Sequence, residues 1–194
     1  MESFNLLFVL PDAKNERILT HNIEDEYILP QYHELVHENI AFDEPQMYND
    51  FFRKITGISV FRRYSFNTSH HIVFVFEQAD KVSTVPENVF VWLPYDEFAN
   101  VSRDDEIKKI AHSVSLYYNV SSNMPWVNTD GFSTYFAWLR GSFEKSGVHI
   151  TGVIMQLKNT YGSTVFCVPT NVGNLYMKIP GRIYIYPNFP LHMA

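Results

Sequence analysis

Pro45-Gln46-Met47-Tyr48-Asn49-Asp50-Phe51-Phe52-Arg53-Lys54-Ile55-Thr56-Gly57 is the stretch on which the fold turns. A proline is tolerated in the first turn of a helix, and Asp43 stands where a cap belongs. Met47, Phe51, Phe52 and Ile55 then recur at helical spacing and give the helix one apolar face. Gly57 closes it, at the position that favours a left-handed backbone. Toward the C-terminus, residues 58–66 and 70–77 read as paired strands about an Asn67-Thr68-Ser69 turn, and 89–93 as another strand. A second helix opens at Ser102, a capping residue, with Arg103, Asp104 and Asp105 after it. Ile107, Ile110, Ala111, Val114 and Leu116 form its apolar face.

Toward the N-terminus, residues 4–10 read as a buried strand. Residues 11–15 form a turn and 16–20 return as a second strand, a hairpin. Residues 27–30 are a short extended piece, and 31–44 are polar and irregular. The order is β-β-β-α-β-β-β-α.

Residues 118–126, with Asn119, Ser121, Ser122, Asn123 and Pro125, have linker composition. Beyond them Thr129 or Asp130 caps a helix carrying Phe132, Phe136, Trp138, Leu139 and Phe143, and Gly147 stops it. Strands follow at 150–158, 163–169 and 174–179, with Val172-Gly173 in the last turn. The expected class is α+β: a compact α/β domain over 1–118, a linker over 119–128, and a helix with three strands over 129–194.

Hydrophobic residues make up 46% of the 194, enough for a packed core and too many for a disordered chain. The net charge of -6 disfavours nucleic acid, which selects Lys and Arg. The densest basic spots, Arg53-Lys54 and Arg62-Arg63, read as solvated faces. The single cysteine, Cys167, lies in an apolar run and reads as a buried small side chain. No run reaches the ~20 apolar residues of a membrane span, and no signal peptide is evident, so the expected location is cytoplasmic.

Pro125-Trp126, Trp138-Leu139, Gln156-Leu157-Lys158-Asn159, Val168-Pro169-Thr170 and Gly173-Asn174-Leu175-Tyr176-Met177-Lys178 occur in order over 125–180. This block resembles the entry into the kinase domain of bacterial aminoglycoside-phosphotransferase-like proteins. The resemblance implies a partial three-stranded kinase-like N-lobe, ATP with Mg as ligand, and Lys178 reaching the phosphates. It also implies a loop of Asn159, Thr160, Tyr161, Gly162 and Ser163 covering them. Taken alone, Lys178 reads as a surface lysine on an edge strand. No H-G-D or H-x-D sequence occurs, and the chain stops at Ala194. The expectation is therefore a truncated phosphotransferase-like chain without catalytic residues.

The first half resembles, more loosely, a Nudix-type fold, through Ile28-Leu29-Pro30, a helix and Thr56-Gly57-Ile58. The magnesium-binding glutamates of the Nudix helix are replaced here by Asp50 to Ile55, where basic residues stand.

Two further readings belong to other classes. His33-Glu34-Leu35-Val36-His37 is a literal H-E-x-x-H, with Asp43 as third ligand, and would make a zinc hydrolase with Glu34 as base. Its polar, proline-bracketed setting argues against that. His70-His71 point to opposite faces of a strand and read as strand-end polar residues. A non-catalytic module, self-associating or partner-binding through the uncovered face of the three-stranded sheet, is the other alternative.

Overall fold

The computed structural model describes residues 5–12, 14, 16–24, 26–32, 45–79, 89–117, 126, 131–160 and 162–181. The decisive helix, α1 (Pro45–Thr56), is present, and Gly57 follows it with φ +76° and its N–H on the Arg53 carbonyl, 2.8 Å. The first half also holds β1 (Asn5–Val9), β2 (Arg17–Ile23), β3 (Glu26–Ile28), β4 (Gln31–Tyr32), β5 (Val60–Asn67), β6 (His71–Gln78), β7 (Phe90–Pro94), α2 (Tyr95–Val101) and α3 (Asp105–Tyr117). The second half holds α4 (Gly131–Glu144), β8 (Met155–Thr160), β9 (Ser163–Thr170) and β10 (Gly173–Pro180). Mixed α and β content is therefore as expected.

The strands form three sheets, in the orders β4-β1-β6-β5, β3-β2-β7 and β10-β9-β8. The expected β1–β2 hairpin is not a ladder. The two strands meet at an isolated Pro11–Ile18 bridge, while β1 runs parallel to β6 from Asn5–His71 to Val9–Val75. Leu6 to Leu10 are all buried, so β1 needs cover on both faces, and an interior position beside β6 supplies it. Leu6 and Phe8 face the α1 side with Tyr48, Phe52, Phe74 and Phe76. Leu7 and Val9 face the other side with Val73, Val75, Phe98, Ile107 and Val114.

α2 was not expected, and it displaces the start of the next helix. Ser102 ends α2, its N–H on the Phe98 carbonyl at 2.9 Å. The cap of α3 is Asp104, whose Oδ1 accepts the N–H groups of Glu106 (2.8 Å) and Ile107 (3.1 Å).

A third core joins the second half to the first. Phe166 of β9 meets Phe61 of β5, Phe132 and Phe136 edge-on at 5.0–5.2 Å between ring centres, and Trp126, Leu139, Val168 and Ile179 close around them.

The arginine pair is the largest departure from expectation. Arg62 and Arg63 are 2% and 1% exposed, not solvated. A β-bulge between Arg62 and Tyr64 leaves Arg63 with no cross-strand partner in β6, and both side chains lie inside. Polar groups reaching in from the second half make this burial tolerable.

Candidate functional site

β5 is the last strand of its sheet, so the outward N–H and C=O of Arg62 lack a neighbouring strand. The side-chain amide of Gln156, on β8, takes that place. Its Oε1 accepts the Arg62 N–H at 2.7 Å and its Nε2 donates to the Arg62 carbonyl at 2.8 Å. Nε2 also donates to Thr164 Oγ1 at 3.3 Å. Asn159, three residues further along β8 and past a β-bulge, donates through Nδ2 to the Arg62 and Arg63 carbonyls. The Arg62 guanidinium returns a bond to the Asn159 carbonyl at 3.2 Å and lies over the Phe74 ring, 5.2 Å from its centre. Gln156 also reaches α1: its N–H donates to Gln46 Oε1 (2.9 Å), and its Oε1 accepts from Asn49 Nδ2 (3.2 Å).

Glu77 makes a second junction, at the start of α4. Its carboxylate accepts the N–H of Phe132 (3.3 Å), the N–H of Ser133 (2.9 Å) and the Ser133 hydroxyl (3.0 Å). These are orphan donors of the first turn, so the cap comes from 55 residues away. Thr129 and Asp130, the expected caps, lie outside the described residues. Arg63 Nε stands 3.9 Å from the carboxylate and donates to the Trp126 carbonyl at 3.3 Å. Burial pushes the Glu77 carboxyl above its ordinary value. Arg63 and the α4 donors pull it part of the way back.

Between these junctions lies a cleft of about 310 Å³. Gln46, Asn49, Asp50 and Arg53 of α1 form one wall, Phe136 and Arg140 of α4 another, and residues 59–61, Ala79, Ile150 and 152–154 complete it. Arg53 pairs with Asp50 at 3.2 Å, and Asp50 also accepts from Gln46 Nε2 at 3.0 Å. Arg140 has no ion-pair partner among the described residues. A volume of this order suits a small molecule. The sequence carried no local signal for this cleft, because its walls come from five separate segments.

The expected site residues fall elsewhere. Lys178 is exposed on edge strand β10, in register with Val165, and Lys158 of β8 lies in the same cross-strand row. Thr160 donates to the Ser163 carbonyl at 3.2 Å and tightens the β8–β9 turn. Gly162 is exposed, and a Cβ there would meet nothing within 4 Å. The Asn159 amide is directed into β5. His33, Glu34, His37, Asp43 and Tyr161 lie outside the described residues.

Among the described residues, none fits the magnesium implied by ATP or by a Nudix-type helix. α1 carries one carboxylate, Asp50, already engaged by Arg53 and Gln46. Among the described residues no group of three or more His, Cys, Asp or Glu could hold a metal ion. No helix among them is long and apolar enough to cross a membrane.

No family model matches the chain, and no curated protein matches it. Solved structures similar to the chain include two with these names. One is described as a Nudix hydrolase family member from Chromobacterium violaceum: TM-score 0.42, 10% identity, covering 76% of this chain and 94% of that one. The other is the E. coli dihydroneopterin triphosphate pyrophosphohydrolase: TM-score 0.39, 11% identity, covering 60% and 98%. Both names fit the loose Nudix-type outline of the first half, and likeness at this level transfers no chemistry. The truncated aminoglycoside-phosphotransferase reading, with its kinase fold and ATP-binding role, is corrected on the geometry: Lys178 lies exposed on edge strand β10 while the Asn159 amide is engaged by the β5 backbone, so the two do not converge on one phosphate site. The three-stranded sheet is real. Its inner face packs against β5 and α4 around Phe166.

Proposed function

We propose that this protein binds a small organic anion, a carboxylate or phosphate monoester, in the cleft between α1 and α4. The observation that carries the reading is the convergence of Arg53 and Arg140, from two different helices, on one cleft. Their charges outnumber the single Asp50 carboxylate there, in a chain whose net charge is -6. A guanidinium offers a planar fork of donors that matches carboxylate and phosphate oxygens, and the Arg140 fork has no ion-pair partner among the described residues. Arg53 shares its charge with Asp50 and closes the other side.

NMR titration with propionate and with propyl phosphate tests the reading. Saturable shifts at amides of 136–140 and 150–154 are expected. Arg140→Ala should weaken binding about tenfold while leaving the melting temperature almost unchanged, because an exposed side chain contributes little to stability. Titration that never saturates, or equal affinity in Arg140→Ala, would overturn the proposal.

A further inference from the structure

The cleft between α1 and α4 is lined by two unlike sets of accessible side chains. Asp50, Arg53 and Arg140 are exposed and charged. Ala79, Ile150 and Ile154 are half-buried and apolar, and each both packs against the third core and lines the cleft. Val153, beside them in the lining, is 56% exposed. A single exposed valine is ordinary. Joined to three half-buried apolar neighbours in one concave site, it belongs to a continuous apolar patch that extends the third core to the surface. Water held against such a patch is released favourably when an apolar group covers it. The cleft, about 310 Å³, is also larger than a bare carboxylate or phosphate needs, and lies at the lower end of the range for small-molecule sites.

From this juxtaposition we infer that the ligand is an amphipathic anion: a carboxylate or phosphate monoester carried on an apolar body longer than a propyl group. The inference rests on the anion reading of the cleft and deepens it. Arg140 and Arg53 engage the head group, and Ala79, Ile150, Val153 and Ile154 cover the body. A short anion leaves the apolar patch wet, and a neutral hydrocarbon brings no charge to the two guanidinium groups. Charge recognition and length recognition therefore rest on different residues and can be separated by substitution.

Matched pairs test this on the full chain. Hexanoate is compared with propionate, and hexyl phosphate with propyl phosphate, by NMR titration. Each pair shares a head group and differs by three methylenes. Full burial of three methylenes would favour the longer member about fiftyfold, and half that free energy, suited to a cleft open to solvent, gives about sevenfold. The longer member should also shift the amides of Val153 and Ile154 more strongly. Val153→Ser, at so exposed a position, should leave the melting temperature almost unchanged and reduce the ratio to about threefold. Val153→Ile should keep it. Arg140→Ala should weaken both members alike and leave the ratio near sevenfold. Equal affinities within both pairs in the natural protein overturn the inference and leave the anion site standing, as does a ratio unchanged in Val153→Ser. Failure of all four compounds to bind overturns the anion site, and this inference with it.

Discussion

The second half is joined to the first by two buried polar junctions that solve one problem in opposite ways. At Gln156 and Asn159 neutral amides complete the open edge of β5. At Glu77 and Arg63 a carboxylate and a guanidinium, with side chains 5% and 0% exposed, cap α4. An amide carries a donor and an acceptor side by side and can replace a missing strand without bringing a charge out of water. A carboxylate caps a helix strongly, since donors and dipole both favour it, but loses its hydration. The first junction should be insensitive to pH and the second sensitive, and both should fail badly when one partner is removed.

Glu77→Ala is expected to do the most damage. It removes three bonds at the start of α4 and the carboxylate nearest to a buried guanidinium. Removing one member of a buried pair costs about 3–5 kcal/mol, so chemical denaturation should show a loss of that order. A loss below about 1 kcal/mol would mean that the charged junction is no stronger than an exposed pair.

Gln156→Leu comes next. The leucine fills much of the volume but leaves the Arg62 N–H and the Asn49 NH₂ without their acceptor. At roughly 1–3 kcal/mol for each buried group left unmatched, and with the two neighbours able to relax together so that their costs do not add in full, a loss of about 2–4 kcal/mol is expected. Hydrogen exchange at the Arg62 amide should accelerate more than at β6 amides, because the edge opens before the sheet interior.

The third test separates the junctions by pH. Glu77 has its carboxyl raised by burial above the ordinary 4.5. Between that value and the raised one, the folded state holds a proton that the unfolded chain has released. Stability from this group is therefore greatest at low pH, falls as pH rises through the window, and is flat above it. Glu77→Gln should flatten that slope in urea midpoints taken across the window. Gln156→Leu should lower the whole curve without changing its shape. If the slope survives in Glu77→Gln, another group is its source.

How much of this was legible follows from the range of each interaction. α1 announced itself through Phe51, Phe52, Ile55 and Gly57, all within thirteen residues, and the β9–β10 turn through Val172-Gly173, where Gly173 takes φ +112°. Local spacing reports such features because their causes are local. The partner of β1 was not legible, since parallel pairing with β6 spans more than sixty residues, and a run buried on both faces looks the same in a hairpin. Arg62-Arg63 looked solvated for a similar reason. What buries them is an amide 94 residues on and a bulge with no sequence signature of its own. Asn159 was expected in a loop covering phosphates, but its direction, into β5, depends on that same edge. The Arg53–Arg140 cleft is a product of tertiary placement alone.

Thr164→Val gives the smallest effect and the finest test of the neutral junction. The threonine is fully buried. Its hydroxyl accepts from Gln156 Nε2 at 3.3 Å and donates to the Lys158 carbonyl at 3.0 Å. Valine keeps the shape and removes both bonds, but Gln156 Nε2 retains the shorter bond to the Arg62 carbonyl at 2.8 Å. One hydroxyl donor and one secondary acceptor are lost while every bond to β5 survives, so about 1 kcal/mol is expected, unchanged between about pH 4 and 8. A loss as large as that of Gln156→Leu would show that Thr164 sets the direction of the Gln156 amide. In that case the turned amide would also reverse Asn49. A small loss would place control of the amide with the backbone of β5.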